Sequence, residues 1–400
     1  MHENDTLCIL GRQPALGRAE LESLYGSGSL MVSSDQSVVI TSPLEPTALR
    51  RLGGTIKLAR IVAVLETDAW PKVASYLRGD LPFVVNFAGE GKLQLGVSAY
   101  GFAITPQKLM ATGLELKKAL KKATDRSVRL VSSKDELHLS TPQVIHNDLD
   151  RSGYEIVVLR SNGSTIIART IAEQDIAAYT KRDQLRPKRD ARVGMLPPKL
   201  AQILINVASG EIKDAPAQKL RVLDPFCGTG VVLQEATLMG YNAFGSDLDP
   251  RMISYTKSNL EWLADAFAID TSDVPLEVGD ATSATWSTQF DLVASETYLG
   301  QPLSQLPPPE KLNTIASTCN LILSHFLRNI GSQIPTNTRL CLAIPAWKKP
   351  DGTFKHLSLL DQLEQLGYNR VSFEHSRSED LIYYREDQIV ARQLLVLTRK

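Results

Sequence analysis

Asp224-Pro225-Phe226-Cys227-Gly228-Thr229-Gly230 directly follows a strand-like run, Leu220–Leu223, and directly precedes a helical segment that opens at Val231. A strand that breaks on two glycines into a helix is the opening turn of a parallel β–α–β unit, because parallel strands need a helical crossover. The pattern continues with Ala243–Gly245, a helix from Pro250, Leu276–Val278 and Leu292–Ala294, and later runs at Leu340–Ile344, Arg370–Phe373 and Leu394–Thr398. The C-terminal half is therefore predicted to be a mostly parallel, seven-stranded α/β sheet covered by helices.

The turn also carries chemistry. Gly228 and Gly230 remove side chains where a ligand must approach the backbone, and the free N–H groups of a helix start meet polar or anionic atoms. Asp247, at the end of the next strand, falls near the ~20-residue spacing at which an acid grips ribose hydroxyls. Asp280-Ala281 ends the third strand, where a carboxylate accepts from an adenine amino group. Gly228-Thr229-Gly230 begins a dinucleotide fingerprint, but its third position is Leu233, not glycine, which counts against a nicotinamide cofactor. Asp224 also suits a cationic ammonium of methionine type, and has no role beside a pyrophosphate. The competing reading is a glycine turn that serves the fold alone.

Lys plus Arg and Asp plus Glu both total 44, so net charge points to no polyanion, but the distribution does. Lys108, Lys117, Lys118, Lys121, Lys122, Arg126, Arg129 and Lys134 form one basic stretch. Lys181, Arg182, Arg186, Lys188, Arg189, Arg192 and Lys199 form another. Local basic surfaces in a neutral chain are the footprint of a nucleic-acid binder. Lys117, Lys118, Lys121 and Lys122 project to one side of a predicted helix, Lys108–Thr124, which reads equally as a solvated face. The acidic start and the lack of an apolar run of ~18 residues predict a cytoplasmic protein. Four scattered cysteines suggest neither disulfides nor a metal, so no metal is expected.

In the N-terminal half, Leu7–Leu10, a helix over Ala15–Leu24, Ser37–Thr41 and a helix over Thr47–Leu52 suggest a small α+β unit. Leu93–Ser98, the Lys-rich helix, Val128–Val131 and a hairpin of Tyr154–Leu159 with Thr165–Thr170 suggest a second. The expected domains are residues 1–65, 66–175 and 176–400.

The segments Tyr179–Asp190, Gly194–Gln202 and Asp224–Gly230 resemble, in order and spacing, the THUMP-domain tRNA (guanine-N2)-methyltransferases of the guanosine-10 type. Leu10–Leu16 with Ala19-Glu20-Leu21 is similar to the opening of the same group. The resemblance implies a ferredoxin-like module and a THUMP module that hold tRNA, the latter matched by residues 104–134. A Rossmann-like domain that uses S-adenosylmethionine would follow. It further implies that Asp224, Phe226, Gly228 and Gly230 line the methionine portion, Asp247 the ribose and Asp280 with Ala281 the adenine. Lys117, Lys118, Lys121, Lys122, Arg126, Arg182 and Arg186 would contact RNA. Some members work with a small partner subunit, and the sequence does not decide whether this chain needs one.

One departure matters. The family places Asp-Pro-Pro-Tyr after the fourth strand, where the acid and a proline carbonyl accept from the target amine and the ring stacks on the extruded base. This chain has Ser295-Glu296-Thr297-Tyr298-Leu299-Gly300. In one register Glu296 replaces the acid; in the other Ser295 does and Tyr298 keeps the aromatic place. The first is preferred because it preserves a carboxylate. The expected reaction is methylation of a tRNA guanosine N2 amine. The alternatives are another amine of rRNA or DNA, or an inactive RNA-binding relative.

Overall fold

The computed structural model describes residues 2–87, 89–190, 195–211, 219–303, 305–386 and 388–400; Arg192 and Gly194 lie outside them. The chain forms two compact units: Met1–Pro14, Gly28–Arg50 and Thr55–Ile176 make the first, and Ala15–Ser27, Arg51–Gly54 and Ala177–Lys400 the second.

The first unit opens with β1 (Thr6–Leu10), after which helix α1 (Pro14–Tyr25) runs into the second unit. Back in the first unit come β2 (Leu30–Ser34), β3 (Ser37–Ile40), β4 (Thr55–Leu65), α2 (Trp70–Gly79), α3 (Leu81–Val84) and β5 (Leu93–Tyr100). There follow α4 (Pro106–Thr124), β6 (Val128–Val131), α5 (Thr141–His146), β7 (Tyr154–Ser161) and β8 (Ser164–Glu173). All eight strands share one sheet in the order β2-β3-β1-β4-β8-β7-β5-β6. The boundary expected near residue 65 therefore falls inside a continuous sheet: β4 pairs with β1 on one edge and with β8 on the other. Thr47–Leu52, expected as an α-helix, is a short 3₁₀ turn over Pro46–Arg51.

Lys57, 2% exposed, points from β4 into a buried polar cluster. Its Nζ pairs with Glu155 of β7 and, at 2.9 Å, with Glu173 of β8, while Ser98 and Thr170 donate to Glu155. Removing one member of a buried charge cluster strands the others without a partner. Lys57→Met is accordingly expected to cost about 3–5 kcal/mol of stability, read as a lower urea midpoint.

The second unit continues with α6 (Ile176–Gln184), α7 (Pro198–Ser209), β9 (Arg221–Asp224), α8 (Val231–Leu238), β10 (Asn242–Asp247), α9 (Pro250–Phe267) and β11 (Leu276–Val278). It ends with β12 (Leu292–Glu296), α10 (Pro309–Gly331), β13 (Arg339–Lys348), β14 (Phe354–Lys355), β15 (Tyr368–Arg370), β16 (Ile382–Tyr383) and β17 (Val390–Arg399). The order is β11-β10-β9-β12-β13-β17-β15, with the first five strands parallel, β17 antiparallel to β13, and β15 antiparallel to β17 and so aligned with the first five; β14 and β16 are small additions.

Leu233 explains the missing third glycine. Its side chain is fully buried, and Gly245 of β10 lacks the Cβ that would come within 2.4 Å of it. Helix α8 thus packs on the sheet through Leu233 against Gly245, with the glycine placed on the strand. Helix α1 is fixed within the same unit by Glu20, whose buried carboxylate accepts from the N–H groups of Gly53 and Gly54 and from Asn206 of α7. Because burial outweighs these bonds, the Glu20 carboxyl is pushed up to about 7.

Candidate active site

Strand order reverses between β9 and β12: the chain leaves β9 toward β10 on one side and later returns to its other side as β12. Such a switch point opens a crevice beyond the carboxyl ends of the strands. Asp224 ends β9 and Glu296 ends β12, so the topology delivers both acids to this crevice. A cleft of about 840 Å³ lies there.

Its wall contains Asp224, Phe226, Gly228, Asp247, Asp280, Ala281, Glu296 and Tyr298. Asp224 is 2% exposed, and it accepts from Ser295 Oγ at 2.6 Å and from the N–H of Phe226 at 3.3 Å. Both bonds end on Oδ1, so among the described residues Oδ2 is left for the cleft. Burial pushes the Asp224 carboxyl up to about 7 against these two bonds, and Asp247 and Glu296 raise it further. Asp247 accepts from the N–H groups of Gly228 and Asp249, both at 2.9 Å, tying the glycine turn to the end of β10. Asp280 accepts from the N–H and hydroxyl of Thr282 through Oδ1. Helix α9 completes the frame: Thr256 donates to the Gly228 carbonyl and Asn259 to that of Thr229, each at 2.8 Å.

Two predicted site residues serve the frame instead. Gly230 has φ +83°, and a Cβ there would meet Thr256 Cγ2 at 2.7 Å, so its lack of a side chain admits α9 and not a ligand. Ser295 is fully buried beneath Asp224 and spends its hydroxyl on that carboxylate, which removes the register in which it would accept the amine.

Glu296 carries a partner that the sequence did not announce. Arg392 of β17, 4% exposed, donates from Nε to Glu296 Oε2 at 2.7 Å and from Nη2 to Oε1 at 3.4 Å. Its one sequence signal is a charge inside Ala391–Leu397, an otherwise largely apolar strand. Asp190, Leu196 and Met252 also line the cleft, as do Leu321, Ile322 and His325 of α10, a helix not foreseen. Tyr298 is half-exposed at the wall, with Gln301 at its hydroxyl. Cys227 also lines the cleft, but burial raises its thiol pKa, which makes it a poor nucleophile. Among the described residues no cluster of His, Cys, Asp and Glu could hold a metal ion.

Of the expected RNA-facing residues, Lys118, Lys121 and Lys122 are exposed on α4 and Lys117 is half-buried. Arg126 is a clamp: it donates to the carbonyls of Phe87, Glu90 and Gly91. Arg182 is buried, with Nε on Glu235 Oε1 of α8 at 2.7 Å. Arg186 is 2% exposed, facing Asp183 and Glu235. The Arg182 and Arg186 guanidinium groups are thus turned into the protein, whereas Arg126 is half-buried at its clamp.

Residues 186–312 match the family UPF0020, described as RMKL-like, methyltransferase domain. The second unit carries a methyltransferase domain. A tRNA (guanine(10)-N2)-dimethyltransferase of Methanothermobacter thermautotrophicus is 28% identical over 152 residues, 38% of this chain and 39% of that protein. The enzyme of the same name from Methanocaldococcus jannaschii is 36% identical over 105 residues, 26% of this chain and 28% of that protein. The chain thus matches well under half the length of these relatives. The crystal structure of TrmN from Thermus thermophilus shares the fold over 100% of both chains, with a TM-score of 0.53 at 18% identity.

The cofactor of such a methyltransferase domain is S-adenosylmethionine, and the cleft suits it. Asp224 offers a buried carboxylate to an ammonium. Gly228 leaves open the space a Cβ would fill, with only the Phe226 carbonyl within 4.0 Å. Asp247 and Asp280 stand at the ends of successive strands. Among the described residues no Lys or Arg lines the cleft, which favours a cation over a pyrophosphate.

Among the described residues no helix is long and apolar enough to cross a membrane.

Proposed function

We propose that this chain methylates RNA, with the exocyclic N2 amine of a tRNA guanosine as the acceptor. The observation that carries this reading is the Glu296 carboxylate at the end of β12, in the same cleft as Asp224. S-adenosylmethionine supplies an electrophilic methyl group on a cationic sulfur. An amine approaching it needs an acceptor to orient its lone pair, because the catalysis here rests mainly on positioning. Glu296 offers that acceptor, and Glu296 or water receives the proton the nitrogen sheds. Tyr298 stands at the wall where an extruded base stacks. The cleft is at the upper end of the roughly 300–1,000 Å³ range of ligand pockets, which suits a cofactor and a base together. The names of the relatives supply the tRNA and the guanine N2 amine.

Residues 66–175 serve, in this reading, as a THUMP-like RNA-binding region, with Lys117, Lys118, Lys121 and Lys122 on phosphates. Reversing the three exposed lysines to Glu is expected to weaken tRNA binding at least tenfold at low salt and to lower the slope of log K against log salt by about 2–3. Filter binding across a salt series checks this; an unchanged slope would remove α4 from the interface. The reaction class is tested by offering labelled S-adenosylmethionine with unmodified tRNA, rRNA or DNA. Label in tRNA alone supports the reading, and label only in DNA would overturn it.

A further inference from the structure

Arg392 reaches Glu296 across an intervening strand. Glu296 is opposite Ala343 of β13, and Arg392 is opposite Pro345 of the same strand, on the far side of it. Two strand spacings, roughly 10 Å, separate β12 from β17. A long, planar guanidinium spans this distance and still presents two donors. The grip is uneven: Oε2 is held at 2.7 Å, Oε1 only at 3.4 Å. Nη2 also approaches the Met195 carbonyl at 3.5 Å, just before Leu196 of the cleft wall. Arg392 itself is not among the residues that line the cleft.

Stability does not explain the pair. A buried ion pair is often no more stable than apolar residues of the same volume, and its neighbours Leu394–Leu397 are all buried apolar side chains. The loop it braces has little other stiffening. The first proline after β12 is Pro302, and among the described residues before it Thr297 is anchored to the sheet, through its N–H and hydroxyl on the Ala343 carbonyl, while Gln301 reaches Tyr298 within the loop.

We infer that Arg392 is a positioning residue for methyl transfer: by holding Glu296 Oε2 from behind, it turns Oε1 toward the substrate amine. The inference rests on the reading of Glu296 as the amine acceptor. The charged groups facing Glu296 are Arg392 from β17 and Asp224 from the end of β9. Burial raises the Glu296 pKa and Arg392 opposes it, so loss of Arg392 raises it further.

The test compares wild type with Arg392→Met and Arg392→Lys for S-adenosylhomocysteine binding by calorimetry and for the pH profile of methyl transfer to tRNA. Calorimetry is expected to show both variants folded and within about threefold of wild type in affinity, as suits a residue outside the cleft wall. In Arg392→Met, kcat is expected to fall on the order of 10²-fold with KM little changed. The acid limb of its profile shifts to higher pH. Arg392→Lys restores the charge but not the fork, so its limb returns toward the wild-type position while kcat stays low. A lower melting temperature with kcat and the limb both unmoved would overturn the positioning role and leave the proposed function standing. Absence of transfer by wild-type protein that binds the cofactor would overturn that reading, and this inference with it.

Discussion

Asp224→Asn is expected to weaken S-adenosylmethionine binding by roughly 10- to 100-fold, the effect of exchanging a charged for a neutral partner in a buried hydrogen bond. The pH dependence separates this account from simple loss of a contact. Burial pushes the Asp224 carboxyl from 3.8 to about 7, so the free protein holds a proton there in mildly acidic solution. An ammonium ligand requires the carboxylate. Affinity should therefore fall about tenfold per pH unit below 7 and level off above it, whereas the Asn variant should show no such slope. The stability effect has the opposite sign. A carboxyl whose folded pKa exceeds its unfolded value loses stability as pH rises between those two values, here from about 4 to 7. The unliganded Asn variant should therefore melt higher than wild type at pH 8, with the gap closing toward pH 4. Calorimetric titrations at pH 5.5, 7 and 8.5, with melting curves beside them, check both signs. Equal pH slopes in variant and wild type would contradict the role given to Asp224.

The second large effect concerns Glu296. Glu296→Ala is expected to reduce kcat for methyl transfer about 10²–10⁴-fold, the range for removing a positioned acid–base group. It should also destabilise the protein by roughly 3–5 kcal/mol, because Arg392 is then left buried without its carboxylate. The two losses can be separated. In the double variant Glu296→Met with Arg392→Met, an apolar pair replaces the ion pair, and stability should recover most of the deficit while activity does not. Recovery of both would show that Glu296 acts only through folding.

The parallel half of the second unit was legible because a β–α–β chain repeats its signals: Leu276–Val278 was read with its observed bounds, and Pro250 was read as the helix start it is. The acids at strand ends were legible for the same reason, since a strand end followed by a turn marks the carboxyl edge of a parallel sheet. The division of labour within the turn was not. Gly228 and Gly230 look alike in sequence, yet one faces the cleft and the other faces Thr256, a contact made from α9. Basic residues misled where the chain buried them. Arg182 is indistinguishable in sequence from an RNA contact until Glu235 is seen beside it. Arg392 escaped notice because its partner lies two strands away in the sheet, and no local spacing encodes that pairing. The long strand β4 was missed since Lys57 and Arg60 interrupt its apolar pattern, one of them neutralised by acids from β7 and β8.

The measurement that tests the central claim most directly is mass-spectrometric identification of the nucleosides in unmodified tRNA after incubation with the protein and methyl-labelled S-adenosylmethionine, with Glu296→Ala run in parallel. The account predicts label in N2-methylated guanosine with wild type and its near absence with the variant. Label in a different nucleoside, or N2-methylguanosine at equal yield from folded Glu296→Ala protein, would contradict it.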